Sequence, residues 1–254
     1  MTHSESQTTP SRQLRRLFAP PGYRARVFHR DLPPPTPRDR VRAVAYRFGG
    51  PAIRSAWALI GVAGAIGPAS RAGKRFGSFG EGSIICFPAG AITNESSIHI
   101  GARTLIATNV TVSAGWGPKQ PDLPERVLGI GDRCLIGRGS SIVAHRSIEI
   151  GNDVWTGPNV YITDMNHGYE DLDRPISEQC QGERPVAIGN GSWLGSGAVV
   201  LPGVTIGAHV VIGAGSVVTS DLPDRSVAVG APARVVRFHD GTAWQEAKRS
   251  SDVG

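Results

Sequence analysis

Aromatic side chains are scarce: seven Phe, five Trp and four Tyr in 254 residues. A core of interlocking rings is excluded, so the interior must be packed with small aliphatic groups. Cysteine is rarer still. Cys86, Cys134 and Cys180 form no CxxC pair, which excludes a thioredoxin-like motif and a cysteine zinc ribbon; a reducing cytoplasm is their simplest setting. Long apolar runs are also missing. The most apolar stretch, Ala56 to Ala69, is shorter than the roughly 20 residues of a bilayer-crossing helix. Residues 1–18 are polar and basic, without the apolar centre of a secretory signal. Charge is one-sided, with 27 Lys and Arg against 21 Asp and Glu. Much of that excess precedes position 76, in Arg12, Arg15, Arg16, Arg24, Arg26, Arg30 and the arginines that follow. Basic residues interleaved with aromatics, the footprint of a nucleic-acid surface, do not occur, and no nucleic-acid partner is expected.

What the chain has in abundance is glycine, 33 residues, and a beat of six. Ile188, Leu194, Val200, Ile206, Ile212 and Val218 recur at that interval. Gly189, Gly195, Gly207 and Gly213 follow four of them, and Ser192, Ala198, Val204, Val210 and Ser216 come four residues after. A period of six belongs neither to a helix nor to an ordinary strand, and it fits a triangular prism with three flat sides per coil. The beat extends upstream in three further runs: Ile100, Ile106, Val112; Ile130, Ile136, Ile142; and Ile150, Thr156, Ile162. Cys134 falls at an inward position. Two stretches interrupt the beat, 113–129 and 163–185. A stacked prism does not need them, so they are expected to be loops projecting from the wall, where function commonly resides.

Residues 1–75 are expected to be an extension, irregular to about 37 and then helical. Helix formation can begin near Pro37 or Asp39, with Gly49-Gly50-Pro51 breaking it into two amphipathic pieces. Such a pair could cap the prism, pack on a neighbouring subunit, or rest on an anionic membrane through residues 38–70. The prism is expected over 76–222. A tail over 223–254 is expected to include a short helical segment before a polar terminus.

The segments Ile188-Gly189-Asn190-Gly191-Ser192-Trp193-Leu194-Gly195, Leu201-Pro202-Gly203-Val204-Thr205-Ile206-Gly207 and Gly230-Ala231-Pro232-Ala233-Arg234 resemble the hexapeptide-repeat acyltransferases. The likeness is greatest to the maltose/galactoside and polysaccharide O-acetyltransferase branch, and it covers about 76–237. It implies an all-β fold, a left-handed parallel β-helix, assembled as a homotrimer. The loop Thr163-Asp164-Met165-Asn166-His167-Gly168-Tyr169 matches the one in which that family carries its catalytic histidine. His167 is thereby expected to be a general base, a role suited to imidazole near neutral pH.

His145, Asp164, Asn166 and Tyr169 are candidates for acceptor binding. At the His145 position the maltose/galactoside enzymes have an acidic residue, and at Gly137 an asparagine, so a simple maltose or galactoside acceptor is in doubt. Trp193, Ser196, Ala214, Thr219, Arg234 and Arg237 match positions that hold coenzyme A in a groove between prisms. The family's lysine after Thr219 is Ser220 here. The implied reaction is acetyl transfer from acetyl-CoA to a hydroxyl of a sugar, glycan or glycolipid precursor, without a metal. An antibiotic acceptor, a non-catalytic scaffold and a zinc-dependent prism are the rivals. The last would require His99, His145 and His167 to converge.

Overall fold

The computed structural model describes residues 36–179 and 182–247. Residues 1–35, expected to be irregular, with their arginines, and Cys180 lie outside the described residues. Helix α1, Pro37–Gly64, is a single element rather than two. Its start is a reciprocal cap: the Thr36 hydroxyl donates to Asp39 Oδ2 at 2.6 Å and accepts from the Asp39 N–H at 3.3 Å, while Asp39 Oδ2 accepts from the Thr36 N–H at 2.9 Å. Proline at the first helical position forfeits no hydrogen bond. Pro51 lies inside the helix, where it removes one rung of the hydrogen-bond ladder. The flanks, rich in Arg and Ala, favour helix strongly enough to carry it through. Along α1 the side chains of Val41, Val44, Ile53, Leu59 and Val62 are exposed. No helix among the described residues is long and apolar enough to cross a membrane.

From Ser78 the chain winds in coils, visiting three parallel faces in turn. The first face holds β1 (Ser78–Phe79), β4 (Ile98–Ile100), β7 (Leu128–Ile130), β10 (Ile148–Ile150), β13 (Val186–Ile188) and β16 (Thr205–Ile206). The second holds β2 (Ile84–Ile85), β5 (Leu105–Ile106), β8 (Leu135–Ile136), β11 (Trp155–Thr156), β14 (Trp193–Leu194) and β17 (Val211–Ile212). The third holds β3 (Ile92–Thr93), β6 (Thr111–Ala114), β9 (Ser141–Ala144), β12 (Tyr161–Thr163), β15 (Val199–Val200) and β18 (Val217–Val218). Register is direct: Ile150 lies beside Ile130 and Ile188, and Ile162 beside Ile142 and Val200.

Both positions of the six-residue beat point inward. Ile188, Leu194, Val200, Ile206, Ile212 and Val218 are buried, and so are Ser192, Ala198, Val204, Val210 and Ser216. Cys134 is buried too, and burial raises its thiol pKa. Polar groups in the interior bond to the next coil. Thr156 Oγ1 accepts the Gly137 N–H at 2.8 Å, and Ser192 Oγ accepts from Val210 N–H at 3.1 Å, so no desolvation cost is left uncompensated there. Glycine is required where coils touch at a corner: a Cβ on Gly157 would stand 2.6 Å from the backbone nitrogen of Ser196 in the coil above.

Among the described residues the tail is β-structure, not helix. Strand β19 (Ser226–Gly230) joins the second face parallel to β17, and β20 (Ala233–His239) and β21 (Trp244–Glu246) add to it antiparallel. The turn after β20 contains Asp240-Gly241, a pair that favours tight hairpins. The Asp240 carboxylate accepts from the N–H groups of Thr242 and Ala243, the Thr242 hydroxyl and the Gln245 amide. Those donors hold its pKa well below the usual carboxylate range.

Since each inward aliphatic touches the coils above and below, Ile142→Ala should lower unfolding free energy by about 2–5 kcal/mol. Chemical denaturation checks this; an unchanged midpoint would contradict a close-packed prism interior.

Candidate active site

Both long loops leave the prism at one corner. In the third face Ser113 of β6, Val143 of β9 and Thr163 of β12 are in register. The first loop departs after β6, the second after β12, and between them β9 turns at once through His145-Arg146-Ser147 into β10. Neighbouring strands stand about 4.8 Å apart, so the two loops spring from the wall about 10 Å from each other. His145 lies in the turn one coil below the loop that bears His167.

Asp164 locks this corner. Its side chain is fully buried, and its oxygens accept the N–H groups of His145, Arg146 and Ser147 at 2.8, 2.7 and 2.8 Å. That corrects its expected role: a carboxylate used by three backbone donors and closed to solvent does not bind an acceptor hydroxyl. Burial by itself would raise its pKa. The nearby His145 side chain and the three N–H groups outweigh burial and hold it below the ordinary 3.8.

His145 is also more enclosed than expected, with a side chain 9% exposed. Its Nδ1 lies 3.4 Å from Asp164 Oδ1, near enough for attraction but without hydrogen-bond geometry, and so is buried with no hydrogen-bond partner. The indole of Trp116, from the first loop, covers the imidazole at a centroid separation of 4.4 Å and a tilt of 58°. Trp116 was not singled out from the sequence, although Gly115-Trp116-Gly117 sits within the loop expected to matter.

The second loop is internally built around the buried Gln179. Its amide donates to the carbonyls of Asp171 and Arg174 at 2.7 and 2.9 Å, and its Oε1 accepts from Asp171 N–H at 3.1 Å. The Gln179 carbonyl accepts the Gly168 N–H at 2.9 Å, which pins the residue after His167. His167 and Tyr169 are exposed and Asn166 is half-buried; none of these side chains is hydrogen-bonded to another described residue.

The remaining candidates lie elsewhere. Trp193 is 54% exposed on the outer second face, in a row of registered residues that runs Leu135, Trp155, Trp193, Val211, Val227, Arg237. Ser196 and Ala214 are exposed in stacked turns between the second and third faces, where the Ser196 carbonyl accepts the Gly215 N–H at 2.9 Å. Arg234 is exposed opposite Val229, which packs close to Gly213 at that corner. Arg237 is paired with Glu246 at 3.0 Å and lies 5.9 Å over the Trp244 ring. Thr219 follows β18 and belongs to the corner of the His167 loop, not to the corner of Ser196 and Ala214. In a three-sided column, the corner between third and first faces is opposite the second face. One chain therefore does not bring His167 and Trp193 together.

Among the described residues no three His, Cys, Asp or Glu side chains converge as metal ligands. His99 is occupied: Nδ1 lies 3.0 Å from Ser78 Oγ and Nε2 lies 2.9 Å from the Glu125 carbonyl.

Two family models match this chain. The one described as bacterial transferase hexapeptide (six repeats) covers 185–220, and the hexapeptide repeat of succinyl-transferase covers 127–164. WbbJ of Escherichia coli, whose name assigns it to lipopolysaccharide biosynthesis as an O-acetyl transferase, is 31% identical over 173 residues, 65% of this chain and 84% of its own length. Galactoside O-acetyltransferase of the same organism is 43% identical over 97 residues, 38% of this chain and 47% of that one. Other curated relatives are matched over 38–60% of their own length. Among solved structures, the N-acyltransferase AntD from Bacillus cereus, in complex with dTDP and 3-hydroxybutyryl-CoA, shares the fold. Its TM-score is 0.56 at 21% identity, over 66% of this chain and 85% of that chain.

Fold and repeats together define a left-handed parallel β-helix of the hexapeptide transferase class. Within that class the chain belongs to the hexapeptide-repeat acyltransferases, alongside WbbJ, most of whose length it matches.

Asp164→Asn keeps the shape but sets an amide NH₂ among N–H donors, so it should destabilise the protein by about 2 kcal/mol near neutral pH. The folded-state pKa of Asp164 is depressed, so its contribution is complete above 3.8 and drains away as pH falls through the lower folded value. Thermal melts from pH 7 to pH 2 should show a shallower acid limb for the variant; parallel curves would remove Asp164 from the acid response.

Proposed function

We propose that this protein transfers an acetyl group from acetyl-CoA to a hydroxyl of a sugar, glycan or glycolipid precursor. The carrying observation is the exposed imidazole of His167, on an ordered loop at the prism corner, in a chain whose relatives are named acetyltransferases. His167 takes the proton of the acceptor hydroxyl as its oxygen attacks the thioester carbonyl. The tetrahedral intermediate then expels the coenzyme A thiolate, which receives that proton from the imidazolium. A thioester is already activated, so no covalent enzyme intermediate is required. Rate comes from the base and from holding both substrates in one place.

The donor arm is assigned to the ledge formed by Trp193, Ser196 and Ala214, with Arg234 suited to a phosphate. Arg237 serves the nucleotide end less directly, because Glu246 competes for its guanidinium. His167 lies at the corner opposite the Trp193 face, which supports a homotrimer in which the base of one prism meets the donor face of its neighbour. The exposed apolar row on that face, Leu105, Trp155 and Trp193, is the kind of surface such an interface would cover. Helix α1 interleaves Arg38, Arg40 and Arg54 with exposed Val41, Ile53 and Leu59. That makeup suits a helix lying on an anionic membrane, where a glycolipid acceptor would be found.

His167→Ala should lower kcat by about 100-fold or more while leaving the Kd for acetyl-CoA unchanged; more than about a tenth of wild-type turnover would reject the base assignment. In steady-state kinetics Trp193→Ala should raise KM for the donor more than for the acceptor. Co-expressed His167→Ala and Trp193→Ala chains should regain activity by forming mixed trimers, since some of their seams carry both intact residues. Absence of complementation would reject a site divided between neighbouring chains.

A further inference from the structure

Trp116 combines two properties that packing alone does not explain: it is pinned in place and it is 48% exposed. The pinning begins at Asn94, held in the left-handed region at φ 55°. Its amide donates to the carbonyls of Ala114 and Gly117 at 2.6 and 2.8 Å, and its Oδ1 accepts from the Gln120 N–H at 3.2 Å. Gln120 Oε1 in turn accepts the Trp116 N–H at 2.7 Å. The indole Nε1–H donates to Glu183 Oε1 at 3.0 Å, which ties the first loop to the loop that carries His167. Packed against His145 as well, the ring is held by backbone, side-chain nitrogen and neighbouring ring. Its one polar atom is already satisfied, so what remains open is hydrocarbon.

A tryptophan serving only as a structural wedge would be driven to bury that hydrocarbon. Here it lies bare between two loops that leave the wall about 10 Å apart, with the Glu183 carboxylate at its edge and His145 at its back. An apolar plate with a polar rim is complementary to a ligand that has one C–H face and a hydroxylated edge. Pyranose rings have that form, because axial hydrogens on alternate ring carbons make one side apolar while equatorial hydroxyls project outward. Linear polyols do not.

We propose that Trp116 is the acceptor subsite: a pyranoside lies with its C–H face on the open side of the indole, and Glu183 binds a ring hydroxyl. The proposal rests on the acyl-transfer reading above and narrows its acceptor to a pyranoside with an unobstructed apolar face. Trp116 selects the acceptor, whereas His167 performs the proton transfer.

Steady-state transfer from acetyl-CoA to methyl pyranosides tests it. Trp116→Ala should raise acceptor KM by roughly tenfold or more, the loss expected when that much apolar contact is removed, with donor KM unchanged. Trp116→Phe, which keeps a ring but loses the bond to Glu183, should recover most of the acceptor affinity, and Trp116→Leu should not. Unchanged acceptor KM in Trp116→Ala, or equal damage in the Phe and Ala variants, overturns the subsite. An independent readout uses the His167→Ala protein with coenzyme A. Saturation-transfer NMR of a methyl pyranoside should show strongest transfer to the protons of one ring face, lost on adding Trp116→Ala; a uniform pattern overturns the stacking. If wild-type protein acetylates a hydroxyl acceptor but no pyranoside, the subsite fails and acyl transfer stands. If it transfers acetyl to no hydroxyl, the broader reading falls, while the NMR result still decides the subsite.

Discussion

The structure depends on the stacking of one coil on the next. Each inward aliphatic lies beside its counterparts one coil away, and each wall strand bonds through its backbone to the strands above and below. The energetics are those of a one-dimensional stack, in which each coil is stabilised mainly by its neighbours. A direct consequence is tolerance to interruption. Long segments can leave a corner and return without disturbing coils further away, provided that the residues at the exit stay in register. Ser113, Val143 and Thr163 meet that condition.

The corner they share is held by charge as well as by packing. Asp164 begins the second loop and binds the turn of the coil before it, so the loop's starting direction is set by three backbone N–H groups rather than by a flexible side chain. Burying a carboxylate is costly, and its multiple charge-assisted hydrogen bonds offset that cost. Gln179 then organises the loop's interior and Trp116 joins it to the first loop. The result is a hydrogen-bonded frame from which His167 projects, as the proposed proton transfer requires.

The distribution of residues around the column also bears on assembly. Catalytic and donor groups of the proposed reaction occupy opposite sides of a single prism, and the donor face is rich in exposed aliphatic and indole surface. An active site divided in this way makes association part of the chemistry, since a monomer would present two incomplete halves.

Much of this was legible in the sequence. A period of six, with aliphatics and small residues at fixed offsets, can be satisfied only if those residues converge on a narrow interior, and all of the residues expected there are buried. The two breaks in the beat located the loops. Where expectation departed from structure, the cause was context. Gly49-Gly50-Pro51 reads as a helix break, yet strong helix-forming flanks continue through it. The tail's hairpin signal, Asp240-Gly241, was present but weak beside its polar surroundings. Asp164 and His145 have the composition of an acceptor site, and only the register of β9 against β12 turns one carboxylate onto three backbone donors, as that of β6 against β9 places an imidazole under an indole. Local periodicity thus determined the coil, because burial of apolar side chains depends on spacing along the chain. Which loop residues meet, which are closed off and which face of the column each one joins was decided by tertiary stacking, because those contacts link residues as far apart as Trp116 and Glu183, and no periodicity relates them.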